Sequence, residues 1–195
     1  IATGVRRRGL GVPGEVEFAG SGILVSGVGS RDEVTGKRVV IVGGGDAALE
    51  NAMILSDPAQ GVTVIHRRDN FSAREDFVKA AKRQANVDFL FNSTVEAIIG
   101  NKDVEAVEIT DLRNGECSSI EADAVLIRIG VEPNTEPFRD QIELDERGYI
   151  VVRSDCSTGL DGVFAVGDVA NLTSPTIATA VGMGATAAKA IKLTY

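Results

Sequence analysis

Three consecutive glycines followed by small residues, at Gly43–Ala48, give the chain its clearest chemical signal. The preceding run Arg38–Val42 is apolar and β-branched, which predicts a buried parallel strand. The following run Asp46–Ser56 carries leucine and methionine among alanines at helical spacing. A glycine turn between strand and helix lets main-chain N–H groups approach a diphosphate at the positive end of the helix dipole. The pattern G-x-G-x-x-A therefore predicts a phosphate-binding turn.

A pair of arginines follows the next predicted strand, Val62–Ile65. That strand ends at His66, 23 residues after Gly43, where folds that bind NAD usually present an acid to the ribose 2′-hydroxyl. Arg67 and Arg68 occupy this place instead. Two guanidinium groups suit a 2′-phosphate, which a carboxylate would repel. The pair favours NADPH over NADH, and the alternative is a solvated basic end of a strand.

Composition and charge argue against several other functions. The chain has 195 residues, enough for one large domain or two small ones, and a formal net charge of −8. An acidic chain with few aromatic residues is a poor match for nucleic acid. Cys117 and Cys156 are the two cysteines, and they have no C-x-x-C spacing. They fit a reducing cytoplasm and indicate neither a disulfide framework nor a metal site.

The ends of the chain and its hydropathy bear on location. The sequence shows no secretory signal and no convincing membrane span, so we expect a cytoplasmic protein without a membrane partner. The first residue is not methionine, and Ile1–Gly4 is typical of the end of a strand. We therefore expect the chain to be part of a longer protein.

Strands and helices alternate around the glycine turn. Residues 1–35 are broken by glycines and predict loops. From Lys37 to about Phe91 the order is strand, helix, strand, helix, strand, with the second helix near Ser72–Arg83. Residues 93–129 predict an antiparallel meander that returns to the main sheet. Its segments are Thr94–Ile99, Val104–Leu112 and Ala122–Ile129, with a turn at Asn114-Gly115.

The last third of the chain predicts a different arrangement. Residues 130–135 are rich in turn formers and predict a crossing between two parts of the molecule. Two strands are predicted at Tyr149–Val152 and Gly162–Val166. A helix of small residues is predicted at Thr176–Lys192.

Taken together, these segments resemble the thioredoxin reductase branch of the FAD/NAD(P)-dependent pyridine nucleotide-disulfide oxidoreductases. The matching motifs occur in the order of that family and span nearly the whole chain. Ile1–Gly4 resembles the A-T-G crossover motif, Gly43–Glu50 the NADPH turn and first helix, His66–Arg68 the start of H-R-R-x-x-x-R, and Ile129–Thr135 and Thr158–Asp168 the two later motifs.

The resemblance implies an α/β fold with two domains. Residues 10–130 would form a Rossmann-like, three-layer NADPH-binding domain that contains the antiparallel meander. Residues 1–9 and 131–195 would be the returning part of a second, FAD-binding domain. The glycine fingerprint that holds the FAD diphosphate in this family would lie before Ile1.

The resemblance also assigns two sets of binding residues, with no catalytic residue and no metal ligand. Glu50 would lie near the nicotinamide of NADPH, and the alternative is a surface charge on a helix. The remaining NADPH contacts would be Gly43, Gly44, Gly45, Asp46, Ala47, His66, Arg67, Arg68, Arg74, Ile129 and Gly130.

For FAD, Asp168 would bond the ribityl chain, and the alternative is a cap on a helix or turn. The start of the last helix would offer N–H groups to the pyrimidine edge of the flavin, where reduced flavin gathers negative charge. The predicted FAD contacts are Thr3, Gly4, Gly167, Asp168, Thr176, Ile177 and Ala178.

One departure from the family limits the chemistry. Thioredoxin reductases carry a C-x-x-C-D redox motif shortly before the NADPH turn, and here Ser26–Ser30 occupies that window without cysteine or acid. A dithiol relay needs two thiols. We therefore expect no reduction of thioredoxin by the usual internal route.

Three smaller departures concern single positions. Ser72 replaces the third basic residue of the arginine motif, although Arg74 lies two residues further on. Pro175 and Thr176 stand where arginine and glutamine are usual. Arg128 interrupts an apolar strand, and it must reach solvent, a carboxylate or a cofactor phosphate because an unpaired buried charge is costly.

The expected function is that of an FAD-dependent NAD(P)H oxidoreductase, with hydride transfer from NADPH to the flavin. A ferredoxin, a quinone, oxygen or a disulfide of another segment or partner would accept the electrons. The dimeric habit of the family suggests a homodimer, and nucleic acid is not an expected partner. The alternative is a regulatory or redox-sensing module that binds the nucleotide without turnover.

Overall fold

The structure is a computed structural model, and it describes residues 1–171 and 173–194. The chain divides into two compact units. Arg8–Gly130 forms the first, here called the central unit. Ile1–Arg7 and the chain from Val131 onward form the second, the terminal unit.

Ten strands and three α-helices make up the regular structure of the described residues. The helices are α1 (Asp46–Ser56), α2 (Glu75–Ala81) and α3 (Ile177–Thr194). Short 3-10 helices lie at Asp32–Val34, Glu136–Phe138 and Asp168–Ala170. The strands are β1 (Val5–Arg7), β2 (Ile23–Leu24), β3 (Arg38–Val42), β4 (Gly61–His66), β5 (Val87–Phe91), β6 (Ser93–Gly100), β7 (Val104–Asp111), β8 (Cys117–Glu121), β9 (Ala124–Ile127) and β10 (Val131–Pro133).

A parallel sheet with the order β2-β9-β3-β4-β5 forms the middle of the central unit. Alternate residues of each strand enter opposite cores. In β3, Val39 and Ile41 pack with the buried leucines and alanines of α1. Val40 and Val42 pack instead with apolar residues of β6 and β7. A sheet covered on both faces needs apolar residues on both, which explains the uninterrupted apolar run of this strand.

The antiparallel sheet β6-β7-β8 supplies the third layer of the central unit. Helices, parallel sheet and antiparallel sheet together confirm the predicted α/β class with three layers. The return of the chain to the main sheet is also confirmed, because β9 lies between β2 and β3. The predicted last strand of the meander was wrong: Cys117–Glu121 takes that place, and Ala124–Ile127 belongs to the parallel sheet.

The second helix is shorter than the sequence predicts, since it covers Glu75–Ala81 and not Ser72–Arg83. Ser72 and Ala73 donate main-chain hydrogen bonds to the carbonyl oxygen of Gly44. This tertiary contact holds the two residues outside the helix.

The terminal unit contains an antiparallel pair, β1 and β10, in which Val5 lies opposite Pro133. The predicted crossing at residues 130–135 therefore includes a strand. The predicted strands at Tyr149–Val152 and Gly162–Val166 were wrong, because each makes only a single bridge. Ile150 and Ala165 from these segments, together with Ile142 and Val169, form the core of the unit.

Two further predictions concern the ends of the terminal unit. Ile1–Gly4 is irregular, and the strand begins at Val5 instead. The predicted last helix is confirmed as α3. Among residues 1–171 and 173–194, no helix combines the length and apolar character that crossing a bilayer requires.

Because one leucine of the central unit is buried in its core and another is exposed, we expect the two to contribute very differently to stability. Leu55 of α1 is fully buried against the parallel sheet, whereas Leu112 is 53% exposed after β7. Leu55→Ala should lower the free energy of unfolding by about 2–5 kcal/mol through lost burial and a cavity. Leu112→Ala, the matched control, should change it by about 0.5 kcal/mol or less. Urea denaturation of the two variants measures this, and equal losses would contradict the assigned packing.

Candidate dinucleotide-binding site

A cavity of about 590 Å³ opens at the carboxyl ends of the parallel strands, entirely within the central unit. Because β9, β3 and β4 are parallel neighbours, the residues that follow them meet at one edge of the sheet. The lining residues are Arg8, Leu10, Val42, Gly43, Gly44, Gly45, Asp46, Ala47, Ile65, His66, Arg67, Arg68, Ser72, Ser93, Thr94, Val95, Arg128, Ile129 and Gly130.

The turn between β3 and α1 requires glycine at two positions. Gly43 has a φ of 148°, and a Cβ on it would lie 2.2 Å from the carbonyl oxygen of Arg128. A Cβ on Gly44 would lie 2.3 Å from Cε1 and Nδ1 of His66. No side chain fits at either distance. The main chain itself therefore forms this part of the cavity wall, as close contact with a diphosphate demands.

Helix α1 begins directly after this turn. Gly45 is its N-cap residue in an extended conformation, and no side chain caps the helix. The first N–H groups of a helix have no carbonyl partner within it, and the helix dipole makes this end positive. Asp46 and Ala47, which belong to this first turn, line the cavity. The residues present thus fit a bound diphosphate.

His66 supports the turn from the neighbouring strand. Its side chain is buried, its ring stacks on Phe71 at a centroid distance of 5.7 Å, and its Nε2 atom has no hydrogen-bond partner among the described residues. Burial lowers the pKa of the imidazole below its ordinary value, the charges of Arg68 and Arg67 lower it further, and a hydrogen bond with the backbone of Asn70 opposes them. The imidazole is therefore mainly neutral at pH 7.

The segment before α2 holds the glycine turn from outside. Ser72 donates its N–H and its hydroxyl to the carbonyl oxygen of Gly44, at 2.9 and 3.1 Å, and Ala73 N–H donates to the same oxygen at 3.1 Å. Arg74 donates its N–H and Nε–H to the carboxylate of Asp46, at 2.8 and 2.9 Å. The Arg74 backbone bond is the main cause that lowers the pKa of Asp46.

The cavity brings together ten of the predicted NADPH residues and leaves two outside its lining. Glu50 is exposed on α1. Arg74 is paired with Asp46, and its guanidinium lies 4.5 Å from the centre of the Phe77 ring. The ten that line the cavity are Gly43, Gly44, Gly45, Asp46, Ala47, His66, Arg67, Arg68, Ile129 and Gly130.

The predicted FAD residues belong to the terminal unit. The Thr3 hydroxyl donates to the carbonyl oxygen of Asn134, whose N–H donates to the carbonyl oxygen of Gly4. Thr176 caps α3, because its hydroxyl accepts the N–H of Thr179 at 3.2 Å. Asp168 begins a 3-10 helix after Gly167, and Ile177 and Ala178 form the exposed start of α3. Their contacts with FAD stay predictions.

Several lining residues were missed by the sequence analysis. Ser93–Val95 follow β5, whose carboxyl end reaches the same edge as those of β3 and β4. The rule that ligands bind beyond the carboxyl ends of parallel strands was a signal that could have found them. Arg8 and Leu10 gave no comparable signal, because their segment has no regular structure.

Other kinds of site find little support. Among the described residues, no group of histidine, cysteine or acidic side chains could hold a metal ion. Cys117 is exposed and Cys156 is buried, and both are free thiols. At the window Ser26–Ser30, the N–H of Ser30 donates to the carbonyl oxygen of Ser26 at 3.0 Å, which closes a turn without sulfur.

Comparison with known families agrees with this geometry. A family model described as pyridine nucleotide-disulphide oxidoreductase matches residues 1–184. The chain belongs to this family. The predicted resemblance to its thioredoxin reductase branch is confirmed by curated relatives. The chain is 38% identical over 188 residues to a thioredoxin reductase of Mycolicibacterium smegmatis, a match that covers 96% of this chain and 60% of the relative. A thioredoxin reductase of Treponema pallidum is 36% identical over 190 residues, a match that covers 97% of this chain and 62% of the relative.

Solved structures show the same likeness. The thioredoxin reductase of Lactococcus lactis has a TM-score of 0.89 and 34% identity, covering 97% of this chain and 63% of that one. The thioredoxin reductase of T. acidophilum has a TM-score of 0.87 and 37% identity, and the match covers 98% of this chain and 63% of that one. The chain thus spans about three fifths of the length of the relatives it matches.

Because Gly44 lies in close contact with His66, we expect substitution of Gly44 to reduce both stability and NADPH binding. Gly44→Ala should destabilise the protein by about 1–3 kcal/mol, because the added methyl group forces the imidazole or the turn to move. The same displacement should weaken NADPH binding. In the control Gly61→Ala the new methyl group would meet its nearest atom at 3.8 Å, so stability and binding should stay close to wild type. Denaturation and calorimetric titration measure both, and an unchanged Gly44→Ala variant would contradict the described turn.

Proposed function

We propose that the central unit binds NADPH and that the chain provides this site to an FAD-dependent NAD(P)H oxidoreductase of thioredoxin-reductase-like build. The main support is the position of Arg67 and Arg68 in the same cavity as the glycine turn. Strands β3 and β4 run in register with Val42 opposite Ile65. The turn and the arginine pair therefore follow adjacent strand ends.

This arrangement suits each part of the coenzyme in turn. The diphosphate would lie over Gly43–Asp46. Its oxygen atoms would accept hydrogen bonds from the main-chain N–H groups at the start of α1. The adenosine 2′-phosphate would contact Arg67 and Arg68, which can donate paired hydrogen bonds. The nicotinamide would extend toward Ile129 and Gly130, beyond the end of β9.

The terminal unit would contribute to the FAD site of the whole protein. Asp168 is half-buried and the start of α3 is exposed, and the N-terminal end of this helix suits the electron-rich edge of a flavin. When bound, FAD supplies the acceptor for hydride. The domain boundaries at residues 9 and 130 are part of this proposal.

The electron acceptor of the whole protein must differ from an internal dithiol. Ser26–Ser30 holds no thiol where the resemblance places the redox pair. We propose an external acceptor: a ferredoxin, a quinone, oxygen or a disulfide of another segment. The family comparisons do not favour the regulatory alternative. A homodimer and a cytoplasmic location stay predictions.

Selectivity for the phosphorylated coenzyme tests the role of the arginine pair. Arg67→Gln and Arg68→Gln should each raise the Kd for NADPH about 10- to 150-fold, since a charge-assisted hydrogen bond contributes about 1.5–3 kcal/mol. The Kd for NADH should change little. Arg83→Gln, an exposed arginine of the central unit, is the control for net charge. Calorimetric titration measures all three, and equal wild-type affinity for both coenzymes would rule out the proposed role.

Turnover is tested in the protein that includes this chain together with a complete FAD site. NADPH added without oxygen should bleach the visible absorption of bound flavin, and an added acceptor should restore it. Rapid-mixing absorbance spectroscopy follows both steps. Flavin that binds but stays oxidised would argue against the enzyme and support the regulatory module.

A further inference from the structure

The proposed coenzyme cavity contains one carboxylate. Among the described residues that line it, Asp46 alone is acidic, and it is the first residue of α1. The positive end of the helix dipole favours a carboxylate at this place. The same negative charge opposes an anionic ligand that approaches the free N–H groups at the helix start. Asp46 therefore stabilises the helix and, when its charge is uncompensated, weakens the binding of a dinucleotide there.

Protonation does not relieve this opposition, because Asp46 is ionised at neutral pH. Its Oδ1 atom accepts the main-chain N–H of Arg74 at 2.8 Å, and its Oδ2 atom accepts the Nε–H of the same residue at 2.9 Å. The main-chain bond is the largest cause that lowers the pKa of Asp46, and the side-chain bond of Arg74 lowers it further. A cation is needed to compensate the carboxylate, and Arg74 supplies it.

Arg74 is held outside the cavity, where it pairs with this carboxylate. It is the N-cap residue of α2, and it does not line the cavity. Its guanidinium lies 4.5 Å from the centre of the Phe77 ring, a distance at which a cation is attracted to an aromatic face. Phe77 is partly buried against the core that α1 shares with the parallel sheet. The cation thus keeps a defined place beside Asp46.

These contacts give Arg74 an indirect part in binding. Resting on the proposed function, we propose that Arg74 is a positioning residue that neutralises and orients the Asp46 carboxylate, so that an anionic dinucleotide can occupy the start of α1. Arg74 acts through Asp46 and not by the direct contact that the family resemblance implies. The effect is common to NADPH and NADH, because both coenzymes carry the diphosphate.

Charge compensation has a signature in a double-mutant cycle. Arg74→Gln leaves the carboxylate uncompensated and should raise the Kd for NADPH and for NADH about three- to fivefold. Asp46→Asn removes the negative charge and keeps an oxygen for the Arg74 N–H, so both coenzymes should bind at least as tightly as to the wild type. The double variant should return to within about twofold of the wild-type Kd. Arg74→Lys keeps a cation and should retain most of the affinity.

Lys79→Gln is the matched control for the loss of an exposed ion pair. Lys79 pairs with Glu75 at 2.7 Å on α2, directly after Arg74, and neither residue of this pair lines the cavity. The Kd of this control for both coenzymes should stay within about twofold of the wild-type value. Salt provides a second control, because the Debye length falls to about 3 Å at about 1 M salt. The difference between Arg74→Gln and wild type should shrink there, whereas a packing defect would not respond.

Calorimetric titration of the chain with NADPH and with NADH, with folding checked by circular dichroism, provides the measurement. Should glutamine prevent folding, Arg74→Met, which keeps an aliphatic stem over Phe77, takes its place. Unchanged affinity in a folded Arg74→Gln or Arg74→Met protein would overturn the inference. So would a double variant as weak as Arg74→Gln, or an equal loss in Lys79→Gln.

Two further results separate this inference from its neighbours. A loss confined to NADPH would indicate direct contact of Arg74 with the 2′-phosphate, and it would overturn the indirect role. Failure of the proposed function appears differently, as a folded wild-type chain that binds neither coenzyme.

Discussion

The glycine turn between β3 and α1 is closed in on two sides, and this constraint determines the rest of the site. The Arg128 carbonyl leaves no room on Gly43, and the His66 imidazole leaves none on Gly44. Neighbouring strand ends are thereby brought into contact with the same short stretch of main chain. The start of α1 and the arginines that follow β4 and β9 then face one cavity.

The parts of the fold that were predictable are those determined by local pattern. Arg38–Val42 is apolar throughout because both faces of its sheet are covered, and the glycines after it mark the turn. Strand β8 was missed because Cys117–Glu121 is polar and mostly exposed, so it shows no alternation. Tyr149–Val152 has the composition of a strand, but it is irregular chain in which Tyr149 and Ile150 are buried and Val151 is exposed. A strand needs a partner, which sequence pattern does not supply.

The candidate site was predictable to a similar extent. The glycines and His66–Arg68 stand out by residue type and spacing, and they line the cavity. The surroundings of Arg74 were not predictable, because its pairing with Asp46 depends on how the segment before α2 folds back. Sequence alone left three destinations open for Arg128. In the structure its guanidinium donates hydrogen bonds to the main-chain oxygens of Ile127 and Val25.

A crystal structure of this protein with NADPH bound tests the proposed arrangement most directly. We predict coenzyme density in the cavity of the central unit, with the diphosphate against the N–H groups of Gly44–Asp46. The 2′-phosphate should lie within hydrogen-bonding distance of Arg67 and Arg68. Coenzyme bound elsewhere on the chain, or a cavity filled by side chains at saturating NADPH, would contradict the proposed binding site.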